Sequence, residues 1–323
     1  MYVTVGTFNL NNLFSRFNFK GEIDAIRRLD TTLDGELKYE FAVGDTWKIR
    51  TYRGGLVKAK EAKDIDLIAK RIKEMKVDVL AIQEVEDIDT LHQFNRENLD
   101  RMYRYAVLVE GNDPRLIDVG VLSKLPIGGI SSWQHAVHPD DPTRAVFGRD
   151  LLEVEILTPS RSRKLFTIFN NHLKSHYVDF REDPVAGEQS NNVRRTRQAE
   201  MVAEITKART RPNSRFIVLG DMNDPPNSPC LQPLVGDSEL QLTNALSNPR
   251  ETRSSKPDTP PPPSTAWTHR YKRPRYPAKY ELYDQIWLSP ALSNKQKEAW
   301  IDRRKRHTGD GSDHDPAWIK IRL

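Results

Sequence analysis

The sequence predicts an α/β protein in which two packed sheets are flanked by helices. Short apolar, β-branched runs recur along the chain, amphipathic helical patterns lie between some of them, and short polar turns join consecutive runs. Elements patterned in this way bury one face each and stack in layers.

Strands are expected at residues 2–10, 77–83, 117–123, 151–157, 165–171, 216–220, 283–288 and 317–322. The first helix is expected over 57–76, where Ile65, Ile68, Ala69, Ile72 and Met75 recur at helical spacing with Lys, Asp and Arg between them. A second covers 88–102, with Leu91, Phe94 and Leu99 on one stripe, and a third 193–208. Residues 15–56 are polar and only partly periodic, and read as an insertion after the first strand. Ser, Asn and Lys accumulate over 244–265, together with the prolines Pro260 to Pro263, which disfavour helix and sheet. This stretch reads as a long surface loop within an insertion at about 244–282 rather than a linker, because polar blocks needed for one site lie on both sides of it. One domain over 1–323 is therefore expected.

Composition sets outer limits. With 323 residues, 37% hydrophobic and 29% charged, the chain reads as an ordinary globular protein. No apolar run approaches the roughly 20 residues that span a bilayer. The N-terminus enters a strand pattern at once with no leader-like segment, so a cytoplasmic location is expected. The single cysteine, Cys230, excludes an intrachain disulfide framework and a multi-thiolate metal site. A net charge of +5 is compatible with a polyanionic partner without requiring one.

Polar blocks sit where hydrophobic runs end. They are Thr7-Phe8-Asn9-Leu10, Ile82-Gln83-Glu84-Val85, Asn170-Asn171-His172-Leu173-Lys174-Ser175, Gly220-Asp221-Met222-Asn223-Asp224, Tyr283-Asp284-Gln285-Ile286-Trp287 and Ser312-Asp313-His314 ahead of Pro316. Each alone has an ordinary structural explanation: a strand-end Glu is usually solvated, and Asn is a turn former. Asp221 and Asn223, two residues apart on an extended chain, point to one side. Asp284 is a carboxylate sunk in an apolar strand and needs a partner. His314 needs a group to fix its tautomer, so the two are paired. Oxygen donors with histidines at strand ends are what a protein needs to hold a hard divalent cation and activate water against phosphorus.

The ordered series Asn9, Glu84, His172, Asp221 with Asn223, Asp284, and Asp313 with His314 resembles the endonuclease/exonuclease/phosphatase (DNase-I-like) superfamily. The stretch 171–175, with Arg197-Gln198-Ala199 and 220–224 downstream, is most similar to its bacterial nuclease-like branch. The resemblance implies a four-layered α/β sandwich with the site at the top of two mixed central sheets. It implies Asn9 and Glu84 as ligands of Mg²⁺ or Mn²⁺, with Asp313 nearby. Asp221 and Asn223 would orient the phosphate or water, or share a second metal. His314, polarised by Asp284, would be the general base, and His172 would stabilise or protonate phosphoryl oxygens. Asn171, Lys174, Arg115 and Arg197 would bind substrate, with Asp118 at the border of the phosphate and Glu110 supporting the second histidine.

Nucleic acid, DNA ahead of RNA, is the expected substrate, and a monomer is assumed. The basic, partly aromatic stretches 269–276 and 303–307 each precede a catalytic block and are expected to contact backbone phosphates. The alternatives are a phosphatase or phosphodiesterase on a small or lipid phosphoester and, last, a binding protein without catalysis. For the lipid reading Trp267 is the one hint of an exposed apolar element.

Overall fold

The structure, a computed structural model, describes residues 1–15, 60–179, 182–252, 261–272, 275–303 and 311–323. The chain runs β1 (Tyr2–Leu13), α1 (Ala62–Met75), β2 (Val79–Val85), α2 (Ile88–Glu97), β3 (Tyr105–Leu108), β4 (Asp118–Ser123) and β5 (Ile127–Ser132). A small hairpin follows, β6 (Val137–His138) with β7 (Asp141–Ala145), then β8 (Leu151–Leu157), β9 (Lys164–His172), α3 (Pro184–Arg209) and β10 (Phe216–Asp221). The last part holds β11 (Thr243–Asn244), β12 (Arg250–Glu251), β13 (His269–Tyr271), β14 (Lys279–Glu281), β15 (Asp284–Leu288), β16 (Gln296–Ile301) and β17 (Ala317–Arg322).

Two mixed sheets dominate, ordered β12-β16-β17-β1-β2-β4-β3 and β11-β15-β10-β9-β8-β5. Alternation along the strands builds the layers. Val3 and Val5 of β1, and Val79 and Ala81 of β2, meet Val154, Ile168, Ile217 and Leu219 of the second sheet in the central core. Phe8, Leu10, Leu80 and Ile82 point the other way, onto Ile68, Ile72, Leu91 and Phe94 of α1 and α2. On the far side Phe169, Phe216 and Val218 pack against Ala199, Val202 and Ala203 of α3. The result is helix, sheet, sheet, helix.

Most expected elements appear within a few residues. Helix α3 begins nine residues earlier than periodicity indicated, at 184 rather than 193. Asp183 caps it by accepting from the Val185 and Ala186 amides, and Pro184 occupies the first turn, so local chemistry starts a helix whose first turns carry no apolar stripe. The expected insertion at 15–56 lies, apart from Ser15, outside the described residues. The one at 244–282 contributes β13 and β14 and buries Trp267 to 4% exposure beneath the Arg303 guanidinium, 3.7 Å from its ring centre. Trp267 is therefore not an apolar element offered to a membrane. Among the described residues no helix is long and apolar enough to cross one.

Candidate active site

Register places the chemistry. In the second sheet Asp221 of β10 is the cross-strand partner of His172 on β9 and of Asp284 on β15, so these side chains stand in a row at one sheet edge. The turn there demands glycine: Gly220 has φ +127°, and a Cβ at that position would lie 2.0 Å from the Asn171 carbonyl oxygen. In the first sheet Asn9 reaches across the gap and donates its amide to Asp221 Oδ2 at 2.9 Å and to Glu84 Oε1 at 3.3 Å. Glu84 sits at a bulge in β2 with φ +62°, a strained conformation for a side chain with a Cβ. The Asn12 amide holds its Oε2 at 3.0 Å.

The floor beneath is a buried polar staple between the sheets. Gln83 donates to Asn170 Oδ1 at 2.8 Å, and Asn170 donates to the Ile82 and Gly120 carbonyls. The sequence gives neither residue a role, because an Asn and a Gln inside apolar strands look like turn formers.

His314 Nδ1 lies 2.7 Å from Asp284 Oδ2, and its Nε2 lies 3.9 Å from Asp221 Oδ2. Burial alone would lower its pKa. The charges of Asp284 and Asp221 outweigh that and hold it well above the ordinary histidine value. His172 Nε2 lies 3.5 Å from Asp221 Oδ2 and 3.9 Å from Glu84 Oε1. Burial, together with the charges of Arg149, His314 and Arg115, pushes its pKa well below the ordinary value. Its Nδ1 is buried with no hydrogen-bond partner among the described residues. Glu110, considered as its support, is instead exposed.

Arg149 is a site residue that sequence reasoning missed. It is 3% exposed, donates to the Leu173 carbonyl at 3.3 Å, and stands close enough to Glu84, Asp221 and His172 to act on them electrostatically. Three more were given no role by the sequence. Ser312 Oγ ties the catalytic loop to the Asn9 carbonyl at 2.7 Å and accepts from the His314 amide. Thr268 Oγ1 accepts from the Tyr283 and Asp284 amides, fixing the carboxylate. Lys60 lies within electrostatic reach of Glu84 and Asp313.

The remaining candidates divide. Asp313 is near the site, with its side chain 58% exposed and Oδ2 3.7 Å from His269 Nε2. Partial desolvation would raise its pKa, but the contact with His269 and the charges of His314 and His269 hold it below the ordinary carboxylate value. Asn223 turns its amide to the Leu173 carbonyl, and Asn171 turns its own to the Leu219 carbonyl, both as backbone braces. Arg115 forks onto Asp113 within electrostatic reach of Glu84. Asp118 is buried and accepts from the Gly111 amide. Arg197 pairs with Asp141 at 3.5 Å, away from the catalytic row. Arg303, expected on a phosphate-binding surface, is instead 1% exposed and locked to Glu251 at 2.6 Å and Asp315 at 3.1 Å. It braces the loop that carries His314.

Residues 6–314 match the model of the Endonuclease/Exonuclease/phosphatase family. The chain belongs to that family. Its solved relatives share the fold at low identity. A family protein from Bacteroides vulgatus superposes with TM-score 0.60 at 15% identity, covering 100% of this chain and 99% of its own. A mannosyl-6-phosphatase from Bacteroides thetaiotaomicron gives 0.57 at 16%, covering 99% and 100%. TDP2 from Caenorhabditis elegans gives 0.56 at 14%, covering 99% of this chain and 74% of its own. No curated protein sequence matches the chain.

The Endonuclease/Exonuclease/phosphatase family hydrolyses phosphoesters and is generally dependent on divalent metal. The residues here fit such an ion. Asp221, Asp284 and His314 bring potential ligand atoms within 4.8 Å of one another, as do His269, Asp313 and His314. Burial raises the Glu84 pKa, and the charges of Asp313 and Asp221 raise it further, a repulsion that a cation relieves. Asp284 Oδ1 is also buried without a hydrogen-bond partner among the described residues.

Proposed function

We propose that this protein is a divalent-metal-dependent phosphodiesterase that cuts nucleic acid, DNA in preference to RNA. The observation that carries the reading is the Asp284–His314 pair aimed at Asp221, with Glu84 and His172 facing the same carboxylate across the sheet gap. Asn9 and Glu84 would hold the ion with Asp313 nearby, and the Asn9 amide, donating to Glu84 and Asp221, fixes the separation of those carboxylates. As hard oxygen donors these residues suit Mg²⁺ or Mn²⁺. When bound, the ion neutralises charge on the scissile phosphate and lowers the pKa of water and of groups beside it.

Asp284 orients the His314 ring; a cation bound beside it would oppose the ring's resting charge and favour the neutral form, whose Nε2 can accept a proton from the attacking water, with Asp284 stabilising the imidazolium that results. His172 stays neutral because burial disfavours its charged form and Arg149 opposes a second positive charge beside it. Its Nε2 then serves as a hydrogen-bond donor to a phosphoryl oxygen. The buried Arg149 and the flanking Arg115 and Lys174 make the approach to the site positive, which favours a backbone with more than one phosphate.

The test is to incubate the purified protein with Mg²⁺, Mn²⁺ or EDTA against supercoiled plasmid, linear duplex, single strands, RNA and sugar phosphates. Metal-dependent nicking of closed circles is expected. Release of inorganic phosphate from monoesters, with no polynucleotide cleaved, would replace the nuclease reading by a phosphatase one.

A further inference from the structure

A cavity of about 360 Å³ lies between the β6–β7 hairpin and the first half of α3, with Lys174, two residues along the chain from His172, at one wall. Arg144, Arg194 and Arg197 line the rest of it, with Asp141 and Glu182 as the acidic members. Asp141 is already engaged: Arg144 Nε lies 2.5 Å and Arg197 Nη1 3.5 Å from its Oδ2. Glu182 is exposed to solvent. Two cations are then left without a carboxylate. Arg194 is half-buried and makes no hydrogen bond or ion pair among the described residues, and its guanidinium packs against Gly148. Lys174 Nζ touches only the Ser175 and Tyr177 carbonyls, each at 3.3 Å, among the described residues.

A half-buried guanidinium whose donors meet no acceptor among the described residues is left to solvent, and an anion is a partner that would satisfy its donors together. The electrostatics of the two groups agree with this. Burial, together with the charges of Arg149, Arg115, Arg194 and Arg195, lowers the Lys174 pKa to about 8. Burial and Arg144 likewise lower that of Arg194. These groups repel one another in the absence of a ligand.

We propose that this cavity is a second phosphate subsite, holding by Arg194 and Lys174 a phosphate of the nucleic-acid strand other than the one being cut. Lys174 is two residues beyond His172, and the Leu173 carbonyl between them is held by Arg149 and Asn223. A strand whose scissile phosphate faces His172 therefore meets the cavity along the same wall. Arg194 supplies a planar fork for a phosphate, and Lys174 a point charge. The proposal rests on the nuclease reading for the identity of its ligand, but not for the existence of the subsite.

Two measurements test it on the full chain. Calorimetry of EDTA-treated protein with inorganic phosphate is expected to show binding that Arg194→Met weakens about tenfold and Arg194→Lys weakens less. Met preserves the packing of the aliphatic stem. No binding at millimolar phosphate, or equal binding by wild type and Arg194→Met, overturns the subsite. In the second measurement the KM for a DNA oligonucleotide is divided by that for bis(p-nitrophenyl) phosphate, which has a single phosphate. Arg194→Met is expected to raise this ratio about tenfold while kcat on the oligonucleotide is kept. An unchanged ratio overturns the assignment to a strand phosphate. If the wild type cleaves no polynucleotide, the nuclease reading falls, and calorimetry still decides the subsite.

Discussion

His314 and His172 are both buried, both lie within 4 Å of the same Asp221 oxygen, and yet are driven to opposite protonation states. Burial acts in the same direction on each, favouring the neutral ring. The difference comes from what stands behind them. His314 has the Asp284 carboxylate at 2.7 Å on its Nδ1, whereas His172 has no hydrogen-bond partner on its Nδ1 among the described residues and lies near the charges of Arg149, Arg115 and Lys174. Neighbouring charge, more than exposure, divides two like groups into a charged and a neutral partner, which is how sites with acid and base roles are built.

The largest effect is expected from breaking the charged half. His314→Ala and Asp284→Asn should each lower kcat on a phosphodiester by about 10²- to 10⁴-fold with native circular dichroism retained. Asp284→Asn adds a sharper reading. Removing that carboxylate should bring the His314 pKa down, because its first opposing charge is gone, and NMR titration of the ring in metal-free protein would follow it. Since the charged ring is the favoured form in the folded protein, its stabilisation is complete below the unfolded pKa near 6.5 and is lost as pH rises through the folded value. An unshifted ring in Asp284→Asn would remove the basis of the pairing.

The neutral half is broken from the other direction. Arg149→Met takes away the foremost cation acting on His172, so the His172 pKa should rise toward its ordinary value. Activity should fall by about tenfold to a hundredfold, less than for His314, because a donor is weakened rather than a proton acceptor removed. The ring's titration again decides. An activity loss with no movement of the His172 titration would mean that Arg149 serves only to fill space.

The sequence disclosed these two halves unequally. Strand ends were legible because a period of two marks where a buried run stops, so Asn9, Glu84, His172, Asp221 and Asp284 could be picked out as edge residues, and fold layers followed from the same alternation. What made Glu84 special was hidden. Its positive φ arises from a bulge against two neighbouring strands, and no local pattern announces that. Arg149 draws no reading from the sequence and Arg303 reads as a phosphate contact, yet both are buried in the fold. Arg303 meets Glu251 and Trp267, on segments that only the fold brings beside it. Long-range burial of a cation leaves no periodic trace.

Acidic residues repeat the contrast at lower stakes. Behind His314, Asp302 and Asp315 are each met by Arg71 at 2.8 Å, and Asp315 by Arg303 as well. Around Arg149, which acts on His172, Asp118 and Asp150 are buried with Oδ2 of each left without a hydrogen bond among the described residues, and Arg149 Nε, 3.2 Å from Asp113, makes none either. Burial raises the pKa of both Asp118 and Asp150 to about 7. An acid whose pKa is raised on folding binds its proton more tightly in the native state than in the unfolded chain. Its contribution to stability is therefore present at low pH and declines as pH climbs from about 4 to about 7. Asp118→Asn removes that term while keeping an acceptor for the Gly111 amide. Denaturant unfolding at pH 5 and pH 8 should show wild type losing stability relative to Asp118→Asn over this interval, by on the order of 1–2 kcal/mol. Parallel pH profiles for the two proteins would mean that Asp118 is ionised throughout and that the His172 side is better compensated than its hydrogen bonds imply.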